Sequence, residues 1–145
     1  VLYEGRKLSG ILTEASIEGE SGTVSSLLVG IGVNLRPNPA WPEDVRAVAG
    51  ALSEFGRTPR RAELAAAVLT HFERAYSLLE QDRADKLLDQ YRSRLCCLGK
   101  SIKVIGPAET YQADCIDLDD NGFLLVRDET GQTRTLSSGE ISIRF

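Results

Sequence analysis

Lys7–Ile17 spreads polar and apolar positions over two faces of an extended chain, and Thr23–Val33 is apolar and β-branched, both readings of a β-strand. In the first stretch Leu8, Gly10, Leu12, Glu14 and Ser16 share one face, and Ser9, Ile11, Thr13, Ala15 and Ile17 the other. Both faces carry apolar groups, so the strand is expected to be partly covered on both sides. The polar, glycine-bearing Glu18–Gly22 between the two stretches suits an antiparallel hairpin. Two strands cannot bury their apolar faces alone. The rest of that sheet is expected from chain preceding Val1.

Leu35–Pro42 contains three prolines and predicts a surface loop. Glu43–Phe55 has helical spacing, with Val45, Val48, Ala49 and Leu52 on one stripe and Gly56 at its end. Thr58 and Pro59 read as the N-cap and first position of the next helix. In that helix Leu64, Val68, Phe72, Ala75, Tyr76 and Leu79 step by three or four. A shorter helix is expected over Ala84–Leu95. After Gly99 the period changes from 3.6 to 2. Ser101–Ile105, Tyr111–Leu118, Phe123–Arg127, Thr133–Leu136 and Ile141–Arg144 predict five short strands. Asp119-Asp120-Asn121-Gly122 and Glu129-Thr130-Gly131-Gln132 predict hairpin turns, and Ser137–Glu140 a tight turn. The expectation is an α+β chain in two parts. Residues 1–98 form a partial sheet with helices, and residues 99–145 a small closed barrel of SH3 type.

Charge sharpens this division. The 145 residues carry a net charge of −4. Residues 101–145 hold four cationic side chains against eight acidic ones, which accounts for that net charge. An acidic end module argues against nonspecific nucleic-acid binding, which needs a basic footprint. The longest apolar run, Leu27–Val33, is too short to span a bilayer. The N-terminus lacks a signal-peptide layout, and its start at valine is expected to mark a fragment. Cys96, Cys97 and Cys115 form no C-x-x-C pair, and His71 is the only histidine. A zinc site is thus not expected; reduced thiols in a cytoplasmic protein are.

Several residues carry chemistry in more than one way. Lys7, at a strand mouth three residues before Gly10, can set an ammonium over a bound anion, or be a solvated strand-end lysine. Gly30 and Gly32 share a face, giving a bare groove or room for an overlying helix. Asn34 offers a donor and an acceptor at the groove's rim, or merely opens a turn. Trp41 can lid a ligand or anchor its loop. His71 lies off the apolar stripe and reads as a surface residue. The Gly30-Ile31-Gly32 pattern is not a dinucleotide fingerprint, since a proline-rich loop follows rather than a helix. Asp117, Asp119 and Asp120 lack the glycine and glutamate of a calcium loop.

Four stretches together resemble the bacterial biotin protein ligases. Arg6-Lys7-Leu8-Ser9-Gly10-Ile11-Leu12-Thr13-Glu14 is similar to the family's R-K-L-x-G-I-L-x-E strand. Gly30-Ile31-Gly32-Val33-Asn34 is similar to G-I-G-[IV]-N. Tyr91–Lys100 resembles the Y-R-x-x-x-x-x-L-G-K junction, and Gly139–Arg144 the closing G-E-I-S-x-R. The resemblance implies the C-terminal part of a catalytic domain related to class II aminoacyl-tRNA synthetases over 1–98, and an SH3-like domain over 99–145. It implies activation of biotin by Mg·ATP to biotinoyl-5′-AMP, then transfer to a lysine of biotin carboxyl carrier protein in acetyl-CoA carboxylase.

Carried over by position, Lys7 would be catalytic and would contact biotin, as would Gly10, Leu12, Gly30 and Gly32. Asn34 and Trp41 would contact the nucleotide, within the adenylate-binding stretch Leu35–Ala49. No metal ligand is assigned. The cofactors implied are biotin, ATP and Mg2+. The resemblance leaves room for a homodimer and implies no membrane or nucleic-acid partner through this part. The family's G-R-G-R-x-G-R loop and K-W-P-N-D stretch do not occur in these residues, so this part alone is expected to be inactive. The alternative is a non-catalytic protein-binding module that uses the barrel and an exposed sheet edge.

Overall fold

The computed structural model describes residues 1–19, 22–106, 109–136 and 142–144. The fold is mixed α/β and divides into two units, Val1–Ala65 and Ala66–Phe145.

In the first unit, β1 (Leu2–Tyr3) and β2 (Arg6–Lys7) form a short antiparallel pair. Glu4 and Gly5 turn the chain with φ of 48° and 77°. The predicted strand Lys7–Ile17 is therefore interrupted. Lys7 pairs with Leu2, and β3 (Ser9–Ile17) begins after the buried Leu8. β3 pairs antiparallel with β4 (Val24–Val33), as the short glycine-bearing connection predicts. Both faces of this hairpin stay open among the described residues: Leu12 and Leu28 on one and Ile11 and Leu27 on the other are all exposed.

The single helix predicted over Glu43–Phe55 is overturned. α1 covers only Glu43–Val48, Ala49 and Ala51 are extended, and Leu52–Phe55 is a 3-10 turn closed by Gly56 at φ 71°. The cause is tertiary. Ala49 and Ala51 are buried, and the Ala49 carbonyl accepts two hydrogen bonds from the Arg6 guanidinium. A Cβ on Gly50 would lie 3.0 Å from Arg6 Cβ and 3.2 Å from both Leu8 and Phe55, so glycine permits the close approach.

α2 (Arg61–Glu80) starts later than predicted, and the division between the units falls within it. Thr58 is not the residue before its first turn. Arg60 holds that place, its carbonyl accepting from Leu64 N–H and its own N–H donating to the Glu63 carboxylate at 3.4 Å. Phe72, Tyr76 and Leu79 of the apolar stripe are exposed, as is His71.

In the second unit, α3 covers Ala84–Arg92, ending three residues before Leu95. Then come β5 (Ser101–Ile105), β6 (Thr110–Leu118), β7 (Leu124–Asp128), β8 (Thr133–Leu136) and β9 (Ser142–Arg144). All five predicted strands form, within one or two residues at each end. The predicted turn Ser137–Glu140 and residue Ile141 lie outside the described residues.

The sheet order is β8-β7-β6-β5-β9, all antiparallel. The predicted closure is not found: among the described residues the sheet is open, with β8 and β9 as its edges. Alternation fixes which residues share a face, but not whether edge strands meet. Ile102, Val104, Ala113, Cys115, Val126 and Cys97 form the core. The Cys97 and Cys115 sulfurs lie 3.4 Å apart as free thiols, and burial pushes the Cys115 thiol up to about 12. Among the described residues no helix is long and apolar enough to cross a membrane.

Candidate functional site

The β3–β4 register builds one face of the site. Gly10 stands opposite Gly32, and Leu12 opposite Gly30. Residues directly opposed in an antiparallel ladder share a face, so all four side-chain positions project the same way. A Cβ on Gly32 would meet only the Gly10 carbonyl, at 4.0 Å, and one on Gly30 only the Leu12 carbonyl, at 3.7 Å. Both are backbone atoms of the ladder itself, so the space above is bare.

Lys7 closes one end of that face. A Cβ on Gly10 would lie 3.7 Å from Lys7 Cε and 3.9 Å from Nζ. The lysine therefore lies over the glycine rather than pointing away from the hairpin. It is exposed and has no ion-pair partner among the described residues. Its main chain is held firmly. The Lys7 carbonyl accepts from Gly50 N–H at 3.0 Å and from Asn34 Nδ2 at 3.2 Å, and Lys7 bridges Ala49 in parallel.

Asn34 follows β4 directly. Its Nδ2 also donates to the Gly50 carbonyl at 3.0 Å, so both amide hydrogens are engaged by the backbone and only Oδ1 remains as an acceptor. Asn34 N–H donates to Leu8 O, and Leu52 N–H to Asn34 O.

Asn34 and Trp41 line one cleft of about 980 Å3, together with Asn38, Arg36, Arg60 and Arg61. Three arginines and no carboxylate line it. Asn38 shapes its loop, accepting from Ala40 N–H at its Oδ1 and from Trp41 N–H at its carbonyl, both at 3.0 Å. A cationic wall beside an indole suits an anion joined to a flat ring system.

The structure thus brings Lys7, Gly10, Leu12, Gly30 and Gly32 onto one face and sets Asn34 and Trp41 in a cleft beside it. Arg6, Gly50 and Glu54 are what sequence reading missed. Arg6 Nε and an Nη donate to Ala49 O at 3.0 and 2.6 Å, and the other Nη pairs with Glu54 Oε1 at 2.9 Å. Glu54 Oε2 accepts from Ala51 N–H at 2.8 Å. The Arg6 guanidinium holds the Glu54 carboxyl below its usual range. The position of Arg6 beside Lys7 was the only available signal. Among the described residues no three His, Cys, Asp or Glu side chains converge to hold a metal ion.

Comparison with known proteins finds relatives of the chain. Residues 97–144 match the family of the biotin protein ligase C terminal domain. The bifunctional ligase/repressor BirA of Bacillus subtilis (strain 168) is 26% identical over 140 residues, which is 95% of this chain. BirA of Salmonella typhimurium is 28% identical over 140 residues, or 96% of this chain. The chain spans 42% of the length of each of these relatives. The apo structure of biotin protein ligase from Aquifex aeolicus superposes with a TM-score of 0.82 at 26% identity, over 98% of this chain and 60% of that one. The same ligase in complex with biotin and ATP gives 0.79 at 25% identity, over 98% and 57%.

Proposed function

We propose that this chain, homologous to biotin protein ligases over nearly its whole length, forms the part of such a ligase that carries the acid-binding groove and one wall of the nucleotide site. In that enzyme a biotin carboxylate oxygen attacks the α-phosphorus of ATP. The bond from that phosphorus to the bridging oxygen breaks, giving biotinoyl-5′-AMP and pyrophosphate. The amine of a lysine on biotin carboxyl carrier protein then attacks the acyl carbon, and AMP leaves. The setting is cytoplasmic. Residues 1–98 would belong to a class II synthetase-like catalytic domain and residues 99–145 to an SH3-like one.

One observation carries the reading: a lysine ammonium with no ion-pair partner among the described residues lies over a strand face stripped of side chains by Gly10, Gly30 and Gly32. Flat fused rings can approach a backbone surface of that kind. Lys7 would then face the carboxylate and the α-phosphate oxygens. Two anions must meet there, and a fixed cation offsets their repulsion most where charge is densest, in the transition state. Leu12 would supply an apolar edge. Asn34 Oδ1 and the Trp41 ring would take the nucleotide in the adjoining cleft. Among the described residues no acidic cluster that could hold a metal ion is found, and Mg2+ would enter as part of the Mg·ATP substrate.

The test is single-turnover formation of biotinoyl-AMP by the full-length protein, comparing Lys7→Met with wild type. The expected loss is about 100-fold or more, the scale of removing one preorganised charge-stabilising donor. A rate within about twofold of wild type overturns the assignment.

A further inference from the structure

Lys7 reaches over Gly10 from a main chain that is itself docked on Ala49–Gly50–Ala51. Its carbonyl takes the Gly50 N–H at 3.0 Å. That tripeptide has no polar side chain of its own, so something else must fix it. Arg6 does so from one side and Glu54 from the other. The guanidinium places two donors on Ala49 O, at 3.0 and 2.6 Å, and a third on Glu54 Oε1 at 2.9 Å. Glu54 Oε2 takes the Ala51 N–H at 2.8 Å. The two side chains thus bracket Gly50, and Gly50 has no room to slide: its Cβ position is within 3.2 Å of Arg6, Leu8 and Phe55.

We propose that Arg6 is a positioning residue for Lys7: with Glu54 it fixes the Ala49–Gly50–Ala51 segment on which the Lys7 backbone is docked, and so aims the ammonium over the glycine face. Arg6 is not among the residues lining the Asn34–Trp41 cleft, and its guanidinium is engaged by Ala49 O and Glu54. Its own charge is turned away into the pair with Glu54, so it adds no electrostatic stabilisation at the groove. Its effect on chemistry passes through Lys7 alone. The inference rests on the reading of Lys7 given above. Guanidinium geometry matters here, because an ammonium cannot put two donors on one carbonyl while holding a carboxylate with a third.

The experiment is a double-mutant cycle on the full-length protein, with Arg6→Met, Lys7→Met and the pair, read by single-turnover adenylate formation below the melting temperature of every variant. A misplacement of about 1 Å at a reacting group costs up to about 100-fold in rate. Arg6→Met is therefore expected to slow adenylate formation by about 10- to 100-fold with wild-type KM for ATP. In the Lys7→Met background the same change is expected to cost less than about twofold, because a residue acting through another cannot act when that other is gone. Arg6→Lys should recover part of the rate, and Glu54→Gln, which keeps an acceptor for Ala51 N–H, should lose less than Arg6→Met.

Equal losses in both backgrounds would show Arg6 to be a general structural residue and overturn the inference. So would an Arg6→Met enzyme of normal rate. Should Lys7→Met alone behave as wild type, the reading of Lys7 falls first and the inference falls with it. Thermal melts of all variants separate loss of fold from loss of aim.

Discussion

Gly10 and Gly32 face each other across the β3–β4 ladder, and neither contributes an atom above the backbone. Gly32→Val is therefore expected to fill the groove without disturbing the ladder, since a β-branched residue suits a strand. Titration calorimetry on the full-length protein should show biotin affinity falling by at least about tenfold, the loss that roughly 1.4 kcal/mol of obstruction produces. ATP affinity should not change. Unchanged biotin affinity would mean that the glycines serve packing.

Gly50 supplies a prediction about stability rather than binding. Gly50→Ala places a methyl group 3.0 Å from Arg6 Cβ and 3.2 Å from the Leu8 and Phe55 side chains. Overpacking of this kind costs about 1–3 kcal/mol. A lowered melting temperature by calorimetry is the expected result; an unchanged one would show that this segment gives way freely.

Acid should weaken the second unit through Asp128. One of its oxygens, Oδ1, accepts from the Thr130 hydroxyl at 2.6 Å and from the Thr130 and Gln132 N–H groups at 3.0 Å. The other, Oδ2, is buried and lies 2.8 Å from Arg134 Nε without hydrogen-bond alignment, so charge alone holds it. These contacts, the Thr130 hydroxyl first, lower its pKa. The folded carboxyl thus binds its proton more weakly than the unfolded one. Its contribution is fully present above the unfolded carboxyl range and is lost as pH falls below about 4. Urea denaturation at pH 7 and pH 3.5 should show wild type losing stability on acidification, and Asp128→Asn losing less. Parallel losses would put the acid sensitivity elsewhere.

Hydrogen exchange should divide the Leu35–Phe55 stretch in two. The Gly50, Leu52 and Ser53 N–H groups donate to Lys7, Asn34 and Leu35 carbonyls at 2.9–3.1 Å. Residues 36–40 are exposed and belong to no helix or strand. The former amides are expected to exchange at least about tenfold more slowly than those of Arg36 and Asn38. Uniform exchange across the stretch would deny the fixed segment.

Where local pattern suffices, the sequence was legible. The β3–β4 hairpin follows from two apolar, extended runs joined by a glycine turn, and the strands after Gly99 from the two-residue period. The stripe Val45, Val48, Ala49, Leu52 was also helical in spacing, yet the helix stops at Val48. What ends it lies some forty residues upstream, in Arg6 and Leu8, and no local period records that. Asn34 was read as a rim group on a groove or as a turn opener; that its amide hydrogens join Lys7 to Gly50 could not be read from the sequence. The glycine face was legible because glycine is defined by what it lacks. The three arginines of the cleft were not, because Arg36 and the Arg60–Arg61 pair are joined only by the fold.

The segment under Lys7 also decides which experiments can see it. Ala49 and Ala51 have no side chain to truncate, and Gly50 can only be enlarged. A scan that replaces each residue by alanine passes over two of the three positions in silence and reads the third as crowding. The polar contacts the segment makes are through main-chain N–H and C=O groups. Within the segment itself, a change to the backbone, such as an amide-to-ester replacement that deletes the Gly50 N–H, is what would register its hold on the lysine.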